Sequence, residues 1–110
     1  MSRISAIPEE MSRIEFLMAR LLTTALDIAD DADLCRCRNV GEDVHQHVRT
    51  MRNVMELSLS EAENFLTYVR SCVATTPPAL RCDATKAFNR SVLSYKQAKR
   101  LIAFSYHDCP

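Results

Sequence analysis

Apolar residues recur at steps of three and four over residues 9–30, as they do along one buried face of an α-helix. This face consists of Met11, Ile14, Met18, Leu21, Ala25 and Ile28. Pro8 suits the entrance of a helix, whereas the aspartates at 30–33 crowd its C-terminal end, where negative charge is unfavourable. The pattern predicts a first helix over 9–30, a flexible N-terminal segment over 1–8 and a loop after the helix.

A second apolar column extends over residues 42–75, which contain neither glycine nor proline. Its members are Val44, Val48, Met51, Met55, Ser58, Ala62, Phe65, Val69 and Cys72. The spacing is close to a heptad and is interrupted only by Ser58. We predict one long middle helix over 42–75. Ser58 and Glu61 also match a capping box, so a break near Ser58 that gives a fourth helix is the alternative.

A third amphipathic pattern covers residues 78–106 and begins either at Pro77 or just after Asp83. One face carries Ala84, Phe88, Val92, Tyr95, Ala98 and Ile102. The opposite face carries four cations, Lys86, Arg90, Lys96 and Arg100, together with the apolar residues Leu93 and Phe104. The pattern predicts a last helix with one buried face and one basic face.

These elements predict an all-α protein, a single domain over 1–110. The expected architecture is an antiparallel bundle of three helices with a long middle helix, or of four if that helix breaks. The single glycine among 110 residues fits few tight turns, and no strand pattern competes. We expect the long middle helix to extend beyond its neighbours and to expose apolar surface at its ends.

Charge and hydropathy limit the classes of partner that are expected for this chain. The net charge is zero, which disfavours a strongly basic nucleic-acid binder, and no apolar run is long enough to span a membrane. The first 43 residues are acidic overall and the remainder basic, so the two parts are expected to attract each other. Five cysteines with no regular framework predict reduced thiols and a cytoplasmic location.

Thiols and imidazoles cluster near the predicted loop and the C-terminus, and these are the ligands that zinc and copper prefer. The candidate metal ligands are Cys35, Cys37, His45, His107 and Cys109. The Cys-x-Cys spacing is tighter than in common zinc sites, and exposed thiols with surface imidazoles are the alternative. No organic cofactor is predicted, and no catalytic motif is visible.

The function expected from the sequence is that of a non-catalytic, cytoplasmic interaction or regulatory protein. It would act as a homodimer or through another protein. The candidate interface residues are Leu57, Leu59, Leu93 and Phe104, which fall outside the narrowest apolar stripes. A metal- or thiol-based sensor that uses the Cys and His residues is one alternative. A nucleic-acid-binding regulator that uses the basic face of the last helix is the other.

Overall fold

The computed structural model describes residues 3–37 and 40–110, with side chains for 9–36 and 40–110. Within these ranges the chain forms three packed helices, α1 (Arg3–Cys37), α2 (Glu42–Ala74) and α3 (Pro78–Asp108), and no strand. The predicted all-helical class and the three-helix count are confirmed. Over the described part of the chain, no helix combines the length and hydropathy needed to span a bilayer.

Helix α1 extends past both predicted ends. Its backbone is already helical over 3–8, which was predicted to be flexible. Pro8 therefore lies inside the helix and not at its entrance, at the cost of one helical hydrogen bond. Residues 1–2 lie outside the described residues. The predicted stop near residue 30 is also wrong. Ala32 is fully buried, and Arg36 in the last turn forms an ion pair of 2.7 Å with Asp33, which offsets the aspartate charge.

Helix α2 is continuous, so a fourth helix has no support. Its buried residues repeat at steps of four and three without interruption: Val48, Arg52, Met55, Leu59, Ala62, Leu66, Val69 and Val73. Four predicted positions, Val48, Met55, Ala62 and Val69, are buried. Between and after them, the buried residue lies one position further along the chain than predicted. Leu59 therefore occupies the place assigned to Ser58, whose hydroxyl donates to the Val54 carbonyl at 3.2 Å as an ordinary mid-helix serine.

This shift of the buried column changes the interface prediction. Leu59 is only 5% exposed and belongs to the core, so it is not available to a partner. Phe65, predicted to be buried, is 42% exposed because Leu66 takes the inward position. Arg52 occupies an inward position that the sequence pattern did not assign.

Helix α3 begins at Pro78, in agreement with one of the two predicted starts. Small residues dominate its buried face: Ala84, Ala87, Ser91, Ala98 and Ser105. Since small side chains allow two helices to approach closely, α3 packs most extensively on α1. The three helices contain 35, 33 and 31 residues. The prediction that α2 is longer than both neighbours is therefore wrong.

The bundle is elongated, 57 × 19 × 17 Å, and its two ends differ. At the "cysteine end", Arg36 Nε in the last turn of α1 lies 3.1 Å from Asp108 Oδ1 of α3. Arg52 of α2 contacts the same end of α3 by a hydrogen bond to the Ser105 carbonyl. At the "proline end", next to the Pro77–Pro78 turn, Met11 lies beside Val73 of α2 and Ala84 of α3.

Candidate functional site

Three predicted metal ligands converge at the cysteine end. Cys35 lies near the end of α1, His45 in the first turn of α2, and Cys109 directly after α3. One donor atom from each residue, two sulfurs and one ring nitrogen, lies within 4.8 Å of the other two. His45 Nδ1 and Cys109 Sγ are 3.3 Å apart. The fold thus assembles a sulfur–sulfur–nitrogen cluster from all three helical segments.

The cluster is screened from solvent on one side. Cys109 is completely buried and packs with Ala32 of α1 and Val48 of α2, and Cys35 packs against the same group. Cys35 and His45 are each half-buried. A ligand entering from the Cys35 and His45 side would therefore meet donors that already point to one place.

Burial, followed by the hydrogen bond and charge of Cys109 and the charge of Asp31, raises the pKa of the Cys35 thiol from 9.0 to about 11. The charge of Arg49 acts in the opposite direction. At neutral pH the thiol is therefore protonated and a weak nucleophile, because thiolate is the reactive form. A metal ion would have to displace this proton.

The backbone around Cys109 is held by α2 and by α3 itself. Arg52 donates hydrogen bonds to the carbonyl oxygens of Ser105 at 3.2 Å and Cys109 at 2.5 Å. Its guanidinium carbon lies 3.8 Å from the ring centre of Tyr106. The Cys109 amide also donates to the Ser105 carbonyl at 3.0 Å. The apolar pattern did not predict the buried position of Arg52, because a charged residue gives no apolar signal.

The donor set suits a soft or borderline metal ion. Thiolate and imidazole together bind Zn²⁺ and Cu⁺ in preference to Mg²⁺ or Ca²⁺. Bonds of roughly 2.0–2.3 Å place the donors of one ion roughly 3.3–4 Å apart, so small side-chain rotations would close the cluster. Three protein ligands leave a fourth position on a tetrahedral ion for water or another group.

Among the predicted ligands whose side chains are described, His107 does not belong to this cluster. His107 is exposed and its ring lies 6.2 Å from that of Phe104. The Cys37 side chain lies outside the described residues. The four cysteines whose side chains are described, Cys35, Cys72, Cys82 and Cys109, are free thiols.

Of the predicted interface residues, Leu57, Leu93 and Phe104 are 70%, 57% and 60% exposed. Leu57 belongs to a larger set on the outer surface of α2, within roughly 80° of arc at 100° per residue. This "outer α2 stripe" consists of Val54, Leu57, Phe65 and Tyr68. It adjoins an apolar groove of about 260 Å³ at the proline end, to which Phe65 and Tyr68 both contribute.

The predicted basic face of α3 is exposed at Lys86, Arg90, Lys96 and Arg100. Arg90 donates to Glu15 of α1 at 2.5 Å, so part of this charge is offset within the bundle. This contact joins the acidic and basic parts of the chain. The contact therefore counts against the hypothesis that this face of α3 binds the phosphates of a nucleic acid.

Comparisons with protein-family models, with curated proteins and with solved structures each found no match. Functional inference therefore depends on the geometry described above.

Proposed function

We propose that this protein is a metal-responsive helical regulatory protein, and that Cys35, His45 and Cys109 bind one Zn²⁺ or Cu⁺ ion. The observation that carries the proposal is the convergence of their three donor atoms within 4.8 Å. Cys35 and His45 flank the connection between α1 and α2, whereas Cys109 lies 64 positions after His45, so local spacing does not account for its proximity to them. The end of α1, the start of α2 and the segment after α3 supply the three donors.

The environment of Cys35 disfavours thiol redox chemistry. A Cys35 pKa of about 11 leaves little thiolate for attack on an oxidant at neutral pH. A metal ion lowers the pKa of a bound thiol and takes the place of the proton. Two thiolates and a neutral imidazole would neutralise Zn²⁺, which suits a partly buried site. With Cu⁺ one negative charge would remain, and Arg49 would offset it.

Metal binding would have a mechanical consequence, because the ligands belong to three different helical segments. An ion would tie the end of α1 and the segment after α3 to the start of α2. Occupancy would therefore stabilise the cysteine end, and metal supply would control how firmly this end is closed. A cytoplasmic location belongs to the proposal, since reduced thiols persist there.

Titration of the reduced protein with Co²⁺, as a coloured substitute for Zn²⁺, tests the proposal. We expect one ion per chain and a thiolate-to-metal charge-transfer band that Zn²⁺ abolishes. Cys35→Ser and Cys109→Ser should each lose the band, whereas Cys72→Ser and Cys82→Ser keep it. Competition with a Cu⁺ chelator distinguishes the two ions. Equal binding by wild type and Cys35→Ser, or no stoichiometric binding, would overturn the proposal.

A second candidate function is self-association through the outer α2 stripe. Leu57 and Tyr68 are 70% and 65% exposed, and burying a side chain of leucine size contributes roughly 1.5–3 kcal/mol. The zero net charge offers little long-range repulsion to a second copy. We expect light scattering to give twice the 12.5 kDa chain mass at micromolar concentration. Leu57→Glu should return the single-chain mass, while Leu93→Glu on α3 should not.

A mass near 12.5 kDa for the wild type over a wide concentration range would exclude this homodimer. Such a result would leave a different protein as the partner of the stripe. Because the stripe and the cysteine–histidine cluster share no residue, the two candidate functions can succeed or fail independently.

A further inference from the structure

We propose that Arg52 is the positioning residue of the cysteine–histidine cluster: by binding the backbone on both sides of the α3 terminus, it keeps the Cys109 thiol beside Cys35 and His45. The consequence for metal affinity rests on the proposed function. The consequence for the exposure of Cys109 does not, and this separates the two ideas experimentally.

The contacts of Arg52 all lead to the same segment. Its Nη1 donates to the carbonyls of Ser105 and Cys109, and its guanidinium plane covers the ring of Tyr106. The Ser105 carbonyl already accepts the Cys109 amide, but the Cys109 carbonyl lies beyond the helix, and a cation is favourable at a helix C-terminus. Arg52 supplies a donor for the Cys109 carbonyl, and a positive charge, from a neighbouring helix. It therefore fixes the end of α3 relative to the start of α2.

Cys109 depends on such contacts because it lies beyond the last helical residue, Asp108. Its sulfur is nevertheless 0% exposed and packs in the small group with Ala32 and Val48. Among the described residues, the Cys109 backbone makes two hydrogen bonds. Its amide donates to the Ser105 carbonyl, and its carbonyl accepts from Arg52. Loss of that bond should let the segment after α3 move away from the cluster.

The position of Arg52 is costly for stability. The side chain is only 3% exposed, and its Nε has no hydrogen-bond partner among the described residues. Its place in the buried column of α2 is one that an apolar side chain would fill. An apolar residue of similar size would remove the buried charge and keep the packing, at the cost of the hydrogen bonds to the two carbonyls. A positioning role therefore predicts that thiol protection and metal affinity fall even where the fold of the bundle is kept.

The test is thiol labelling of the metal-free protein by a maleimide, read for each cysteine by mass spectrometry. In the wild type the exposed Cys82 should react quickly and the buried Cys109 slowly. In Arg52→Met we expect Cys109 to react faster by on the order of tenfold, because local opening exposes it. Cys72 should keep its wild-type rate, which shows that the rest of the bundle stays closed. Zinc affinity should fall about 10–100-fold, the usual effect of losing a residue that orients a ligand.

The outcomes are distinguishable. If Arg52→Met exposes Cys109 but the wild type binds no metal, the proposed function fails and the positioning role stands. If Cys109 stays protected in a folded Arg52→Met protein, the positioning role is overturned. If Cys72 also becomes reactive, the Arg52→Met variant has opened globally. The Arg52→Lys variant then tests the positioning role. Lysine keeps the charge and the donors but lacks the planar guanidinium that stacks on Tyr106, so it should hold the end of α3 less firmly and Cys109 alone should become more reactive. Unchanged protection of Cys109 in this variant contradicts the role.

Discussion

At the proline end, α1, α2 and α3 meet through apolar side chains such as Met11, Val73 and Ala84, whereas at the cysteine end they meet through charges, thiols and carbonyls. The turn at the proline end is held locally. The Thr76 hydroxyl donates to the Cys72 carbonyl at 2.9 Å, and Arg81 donates to the Thr76 carbonyl. At the cysteine end, by contrast, Arg52 bonds to carbonyls more than 50 positions away.

The two kinds of contact respond differently to change. Apolar packing is non-directional, so its strength depends mainly on the area buried. A polar contact requires a partner at a defined distance, and a buried group that loses its partner costs free energy. The proline end should therefore govern global stability. The cysteine end should respond to ligands and to single substitutions that alter local geometry.

The largest expected effect comes from separating the two ends. Ser58 lies inside the continuous helix α2, between them. Ser58→Pro removes a helical hydrogen bond and introduces a clash, so the free energy of unfolding should fall by about 3 kcal/mol or more. Urea denaturation measures this loss. Ser58→Ala is the control and should have little effect, since the serine bonds only to the Val54 carbonyl. A mild effect of proline would contradict a continuous helix.

At the proline end, Ile14→Ala should cost roughly 2–5 kcal/mol, because the side chain is 4% exposed and its loss leaves a cavity. Chemical denaturation again gives the free energy of unfolding. Leu93→Ala, at a 57% exposed position outside the outer α2 stripe, serves as the control and should stay within about 0.5 kcal/mol of the wild type. Equal losses in the two variants would contradict the burial of Ile14.

At the cysteine end, zinc at 100 times its dissociation constant should stabilise the folded state by about 2.7 kcal/mol. Hydrogen exchange should locate the added protection around residues 32–36, 45–52 and 105–109. We expect smaller changes around residues 66–90, where no ligand lies. Protection spread evenly over the bundle would remove the distinction between the ends, and Cys109→Ser should show no zinc-dependent protection.

The smallest expected effect lies midway along the bundle, where the Tyr95 hydroxyl donates to Glu63 at 3.0 Å. Burial, then the hydrogen bond and charge of Glu63, raise the pKa of Tyr95 from 10.0 to about 12. The folded state therefore favours the protonated phenol. Its stabilising contribution is complete below pH 10 and is lost as the pH rises toward 12.

Tyr95→Phe removes this titration and one hydrogen bond, which is worth about 0.5–1.5 kcal/mol at neutral pH. Between pH 10 and 12 the variant should lose less stability than the wild type, so the two curves converge. Thermal denaturation over this range measures the difference. Parallel curves would show that Tyr95 does not contribute to the alkaline transition. Cys35 titrates in both proteins and cancels in the comparison.

Apolar periodicity alone predicted the helical class, the number of helices and most of their buried positions. It succeeded at Met11, Ile14 and Ile28 because a helix that buries one face must place apolar residues at steps of three and four. It placed His45 at the start of the second helix, as observed, but it assigned Cys35 to a loop, whereas Cys35 lies in α1. The error at Ser58 and Leu59 arose because positions one residue apart both border the same face, and only packing decides which turns inward.

The sequence by itself determined that this chain forms three amphipathic helices, because periodicity and proline act locally along the chain. Only the tertiary structure decided that Cys35, His45 and Cys109 share one place while His107 does not. It also decided that Arg52, a charged residue in a buried column, binds the carbonyls at the end of α3. These facts depend on the relative height and rotation of helices distant in sequence. Such quantities are set by the packing of all three helices at once, and no local pattern encodes them.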